Sequence, residues 1–213
     1  TNGATLVNKT IYSTEIYTIN WTNLKDGNYS YNVTIKDKAG QKNTTKTRKI
    51  TIDDTPPTPQ LISPENDTYT NKTSQNLTVN ITENLELKNA TLIIYNETQL
   101  VNQTTKNIYG TKYFAGIIYE FLHDGIFNWF YRIADTLGNY YETNNNTIII
   151  DREIPGINYG YNTENNHANK SQDFIYVNVT INETNFANIT YELYNNTNGA
   201  TLVNKTIYST EIY

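Results

Sequence analysis

The sequence predicts an all-β chain, built as a head-to-tail array of β-sandwich domains of about a hundred residues each. Three observations carry this. Residues 1–17 and 197–213 are the same string, TNGATLVNKTIYSTEIY, which sets a period of 196 residues. Matched residues also recur at half that period, 98: Asp53 with Asp151, Asp26-Gly27 with Asp124-Gly125, Asp37 and Gly40 with Asp135 and Gly138, Asn80 with Asn178. The chain holds 34 Asn and 19 Tyr, with many Thr, and no helical period. Thr and Tyr favour strands and Asn favours turns.

Residues 1–53 read as the C-terminal half of one repeat. KTIYSTEIYTINW is apolar enough for one or two strands, and Asp26-Gly27 follows as a turn. NYSYNVTIKD alternates, with Tyr29, Tyr31, Val33 and Ile35 on one face and Asn28, Ser30, Asn32 and Thr34 on the other. That is the period of a half-buried strand. KDKAGQ reverses the chain with Gly40 free to take positive φ, and KTRKITI points Ile50 and Ile52 inward.

Residues 54–152 read as one complete repeat. The prolines of DTPPTP lack backbone donors and restrict their neighbours, and the run reads as a stiff linker. Strands are expected near 59–63, 76–82, 89–95, 100–106, 112–122, 126–134 and 143–150. In the sixth, Phe127, Trp129, Tyr131 and Ile133 share a face, and Trp129 is the bulky core residue; Trp21 is not its repeat equivalent.

Residues 153–213 read as the N-terminal half of a further repeat, with early strands in DFIYVNVT and NITYELY. The cleaner inward face of the first is Ile175, Val177, Val179 and Ile181. Joined on paper to residues 18–53, this segment makes one full repeat. Neither half can bury its inward face alone. Either a longer polypeptide continues the repeat, or a second subunit inserts its early segment. The duplicated 17 residues favour continuation, because in strand exchange two identical copies would compete for one slot.

Seven short strands with frequent turn signals, in a unit of this size, match an immunoglobulin-like sandwich better than a propeller blade or a β-helix coil. The chain has no cysteine, so the antibody Cys–Trp–Cys spacing is absent. The runs DDTPPTPQLISPENDTYTN (53–71), NLTVNITE (76–83), ATLIIYNETQ (90–99), DGIFNWFYRIADTLGN (124–139) and TNNNTIIID (143–151) resemble the tandem immunoglobulin-like repeats of archaeal and bacterial cell-surface proteins. The resemblance covers the whole chain and implies an extracellular stalk, S-layer component, adhesin or filament. It marks a fold and a compartment, not a binding specificity. In the last repeat DREIPG replaces the double-proline linker.

Net charge is −5 and spread along the chain, which argues against a nucleic-acid surface. Cys and Met are both absent, so there is neither a disulfide nor a soft metal ligand. No apolar run of about 20 residues is present.

The strongest chemical signal is the glycosylation sequon Asn-x-Ser/Thr. It occurs at Asn8, Asn20, Asn28, Asn32, Asn43, Asn66, Asn71, Asn76, Asn80, Asn89, Asn96, Asn102, Asn145, Asn169, Asn178, Asn182, Asn188, Asn195 and Asn204. Random order at this composition gives roughly seven. Strand alternation supplies part of the excess, since Asn and Thr share a polar face around an apolar x. The same alternation turns the asparagine and its hydroxyl partner to solvent, as glycosylation needs.

The junction acids Asp53, Asp54, Asp151 and Glu153 are weak calcium candidates, because Ca²⁺ takes oxygen ligands. Solvated linker acids are the plainer reading. His123 and His167 occupy unrelated repeat positions and form no cluster. Strand tyrosines are packing residues, with Tyr159 and Tyr161 placed for contacts between repeats. No catalytic constellation or phosphate loop is visible, so neither an enzyme nor a cofactor is expected. The function that follows is a structural component of an extracellular, glycosylated fibre, stalk or filament. Its partners are neighbouring repeats or subunits of the same protein, and surface glycans are a further class. The alternative is a cell-surface adhesin or binding module for a sugar or protein.

Overall fold

The computed structural model describes residues 18–97 and 99–209. Among them the regular structure is all strand. The chain divides into two compact units between Asp151 and Arg152. The beginning of the expected KTIYSTEIYTINW strand stretch lies outside the described residues, and its end, 18–21, is irregular.

The first unit opens with four short strands: β1 (Gly27–Tyr31), β2 (Thr34–Lys36), β3 (Lys42–Thr44) and β4 (Arg48–Ile52). β1 pairs with β4 and β2 with β3, both antiparallel. Nine strands follow: β5 (Thr58–Ser63), β6 (Thr68–Thr70), β7 (Ser74–Thr82), β8 (Leu87–Asn96), β9 (Gln99–Asn107), β10 (Lys112–Glu120), β11 (Gly125–Asp135), β12 (Tyr140–Glu142) and β13 (Asn146–Ile150). Seven of them are the expected ones. β6 and β12 are additions of three residues each, too short to carry a pattern of their own.

These nine strands form two sheets. One is ordered β10-β7-β5, and the other β6-β13-β11-β8-β9 with β12 beside β11. Pro59, shared by the DTPPTP run and the strand expected near 59–63, lies inside β5, and this is tolerated because β5 is an edge strand. The inward residues of both sheets meet in one core. Leu77, Val79, Ile81 and Ala115 come from the first sheet; Leu92, Ile94, Phe127, Trp129, Tyr131, Ile133, Ile148 and Ile150 come from the second. All are buried, as period-2 alternation requires. The Tyr131 hydroxyl donates to the Leu77 carbonyl at 2.7 Å, tying one sheet to the other. Burial pushes that phenol above its ordinary pKa.

The pairing of β1 to β4 repeats that of β11 to its neighbours, 98 residues on. Gly27↔Ile52 and Tyr31↔Arg48 recur as Gly125↔Ile150 and Trp129↔Asn146. Thr34↔Thr44 and Lys36↔Lys42 recur as Arg132↔Glu142 and Ala134↔Tyr140. The reversals match as well: Gly40 and Gly138 take φ of 89° and 102°, which a side chain would oppose. Burial does not match. Ile148 is buried but its counterpart Ile50 is exposed, and so are Val33 and Ile35. Among the described residues, no second sheet packs on the inward face expected of the 18–53 segment.

The second unit holds β14 (Gly156–Tyr159), β15 (Val179–Asn182), β16 (Asn188–Asn195) and β17 (Thr201–Ser209). β14 pairs with β15, and β16 with β17, both antiparallel. The strand expected from DFIYVNVT is shorter than its alternation suggests. Residues 174–178 have no ladder, and Ile175 and Val177 are exposed, as is Ile181 within β15.

Trp129 fills the centre of the core, edge-on to Tyr131 with ring centroids 6.3 Å apart. Its indole N–H is buried without an acceptor, so the ring is held by packing alone. Trp129→Ala should cost about 3–5 kcal/mol. Denaturant unfolding of the whole chain measures this, and a loss under about 1 kcal/mol would mean the cavity collapses at little cost.

Candidate functional site

The most concentrated chemistry among the described residues lies where the linker meets the loop ends of the two sheets. Asp53 follows the last residue of β4, Glu83 follows β7, and Asp135 ends β11. One carboxylate oxygen from each lies within 4.8 Å of the others.

Each acid is placed by its own turn. Asp135 is fully buried, and its Oδ1 accepts the backbone N–H groups of Leu137, Gly138 and Asn139 at 2.8, 2.6 and 2.9 Å. Its Oδ2 takes Asn139 Nδ2 at 2.7 Å, and the same amide donates to the Asp53 carbonyl at 3.1 Å. Glu83 Oε1 accepts the N–H groups of Asn84 and Leu85. Asp53 Oδ1 accepts the N–H of Thr55 at 3.2 Å and Asn84 Nδ2 at 3.3 Å. The other oxygens, Asp53 Oδ2 and Glu83 Oε2, are buried with no hydrogen-bond partner.

A fourth acid, Asp26, clamps the linker beside this cluster. It accepts the N–H of Asp54 at 3.1 Å, the Thr55 hydroxyl, and Asn84 Nδ2 at 2.7 Å. The Thr55 hydroxyl first, then the Asp54 N–H, lower its pKa. Asn84 and Asn139 thus join the 18–53 segment to the loops of the following domain.

Burial raises the pKa of Glu83; the N–H groups of Leu85 and Asn84 oppose this, and the charges of Asp53 and Asp135 add to it. Three carboxylates so placed are relieved either by a proton on Glu83 or by a hard cation such as Ca²⁺, which takes carboxylate oxygens. Of the expected calcium candidates only Asp53 belongs to the cluster. Asp54 and Glu153 are exposed, and the Asp151 N–H donates to the Thr70 carbonyl at 3.0 Å. Sequence reasoning missed Glu83 and placed Asp135 only as a turn residue. The signal available for Glu83 was its position directly after the apolar alternation of β7. Glu183, directly after β15, likewise accepts an N–H two residues on, from Asn185 at 2.6 Å.

Asn8 lies outside the described residues, and none of the other eighteen sequon asparagines is buried. Asn89, Asn102 and Asn178 are half-buried; the rest are exposed. Among the described residues, the expectation that each hydroxyl partner also faces solvent fails at two sites. Thr78, partner of Asn76, is 5% exposed, and Thr91, partner of Asn89, is 8% exposed. A register shift in β5 brings the Ser63 carbonyl to 3.2 Å from Thr78 Oγ1, and Thr91 pairs with Thr105 across β8 and β9 at 2.9 Å. The Asn178 amide also donates to the Tyr161 carbonyl at 3.2 Å. His123 and His167 are exposed, as are Tyr159 and Tyr161.

No family model and no curated protein matches this chain. Among solved structures, the crystal structure of dimeric latent PorU from Porphyromonas gingivalis is similar at 16% identity and a TM-score of 0.34. That match covers 61% of this chain and 13% of the other, so the chain spans a small part of that protein's length. A likeness this distant carries no argument about fold or activity.

The acid cluster makes a titration prediction. A raised carboxyl pKa means that ionisation costs folding stability: Glu83 carries no penalty below its ordinary range, and the penalty grows as pH rises through its higher folded value. Glu83→Gln should therefore raise the melting temperature at neutral pH in chelator, with the gain vanishing below about pH 4. Thermal melts across pH measure it. A Ca²⁺-dependent rise in the parent chain that is absent from Glu83→Gln would instead assign the cluster to a cation.

Proposed function

We propose that this chain is a structural segment of an extracellular, glycosylated fibre or stalk, made of immunoglobulin-like β-sandwich repeats running head to tail. The observation that carries the reading is the recurrence of strand-pairing registers 98 residues apart, joined to the 17-residue identity 196 residues apart. A chain whose sequence and ladders both repeat is suited to spanning distance. The linker supports the same role. Its prolines restrict the backbone, Asp26 ties it to the segment before it, and the Asn84 and Asn139 amides tie that segment to the following domain.

The sequon excess and the exposure of nearly all the sequon asparagines support an extracellular setting. Glycans on outward strand faces would also shield sheet edges from unwanted pairing. Neighbouring repeats of the same protein are the partners this reading requires.

Glycopeptide mass spectrometry of native material should find sugar on several of Asn28, Asn32, Asn80 and Asn182, with lower occupancy at Asn178, whose amide is engaged, and at Asn76, whose Thr78 is buried. Surface labelling with an antibody to this chain should decorate fibres or a surface layer. Unmodified asparagines throughout, in a protein confined to the cell interior, would overturn the reading.

A further inference from the structure

The outward face of the three-stranded sheet sets two sequons against two exposed apolar side chains. β7 presents Asn76, Asn80 and Thr82 there, and β10 presents Lys112, Phe114, Gly116 and Ile118. The antiparallel register puts Phe114 directly opposite Asn80 and Ile118 directly opposite Asn76, with Gly116 opposite Thr78 between them. Phe114 is 60% exposed and Ile118 72%. The neighbours Ala115, Val79 and Ile81 lie in the closed core, so strand alternation turns Phe114 away from it.

Single exposed apolar residues are ordinary on a protein surface. Phe114 is set apart by what surrounds it. Asn80 lies between it and Gln60 of β5, and Thr82 and Lys112 form the next rung. These four polar residues are all exposed. Asn80, Ile81 and Thr82 make a complete sequon whose asparagine and hydroxyl both face solvent. The neighbouring sequon is built differently. Thr78, which completes it, is buried, and the Asn76 amide lies over Gly116, where a Cβ would come within 2.6 Å of its Oδ1. Asn76 is thus folded onto the sheet, and Asn80 is the open site of the two.

We infer that Asn80 carries a glycan whose first sugar packs on the face of the Phe114 ring. This rests on the glycosylated reading proposed above and gives it a particular seat. Directly opposed residues of an antiparallel pair hold their Cβ atoms about 4.5–5.5 Å apart, so the ring stands beside the amide at which a glycan begins. A pyranose has a face of C–H bonds, and that face suits the electron-rich face of a phenyl ring. Packing the two removes apolar surface from water on both sides. The sugar is tethered to the opposite strand, so the contact forms without the entropy loss of association. Gln60 and Lys112 stand at the margins of the patch as donors for sugar hydroxyls. Ile118, opposite Asn76, offers no ring. Among the described residues, no other sequon asparagine has an exposed aromatic side chain as its direct ladder partner.

The test uses the whole chain secreted from a eukaryotic host, which attaches N-acetylglucosamine as the first sugar. Glycopeptide mass spectrometry should find Asn80 occupied, and more fully than Asn76. Asn80→Gln removes the sugar and should lower the melting temperature by about 4 °C. The same substitution made on Phe114→Leu should change it by less than about 1 °C, whereas Phe114→Tyr keeps the ring and should keep the full difference. Phe114 is exposed, so both replacements leave the core intact. In NMR spectra, the ring current should move C–H protons of the first sugar upfield in the parent and not in Phe114→Leu. Bare Asn80 on a chain glycosylated elsewhere, an equal Asn80→Gln effect in the parent and in Phe114→Leu, or sugar protons unmoved by the ring would each overturn the inference and leave the fibre reading standing. Native material without sugar at any sequon would instead overturn the glycosylated reading, and the inference with it.

Discussion

A β-sheet with one apolar face stays dry on that face only when a second sheet lies over it. This constraint organises the chain. The period-2 alternation of β7 and β11 gives each strand an inward row, and in the middle domain the two rows meet and bury one another. The same alternation in β1, β2 and β4 produces the same ladders, yet Val33, Ile35 and Ile50 stay exposed, with no second sheet packed on them among the described residues. Local backbone pairing is thus specified by short-range sequence, while the hydrophobic gain comes from closing the sandwich. The closed pair of sheets and the exposed β1–β4 ladder display these contributions separately.

The junction acids follow from the same geometry at the domain end. Strands that stop together leave their turns together, so Asp53, Glu83 and Asp135 converge from three separate parts of the chain. Two opposing effects act there. Backbone N–H groups stabilise the carboxylates of Asp135 and Glu83, while burial and mutual repulsion work against ionising Glu83. The bridging amides of Asn84 and Asn139 turn this concentration of charge into a fastening between the 18–53 segment and the domain after it. A linker held this way stiffens without disulfides, which a chain lacking cysteine needs if it is to bear length.

What the sequence made legible was local. The inward rows Leu77, Val79, Ile81 and Phe127, Trp129, Tyr131, Ile133 are buried as their alternation required, and the Asp-x-x-Gly reversals turn at positive φ. What it hid depended on partners distant in sequence. Ile175 and Val177 alternate well, yet no ladder forms along them among the described residues. Thr78 and Thr91 carry the polar pattern of a solvent face, but a displaced Ser63 carbonyl and an opposing Thr105 hydroxyl take them out of water. Asp53 was visible as an acid at a junction. Its companions were not, because Glu83 and Asp135 become neighbours only once two sheets have packed.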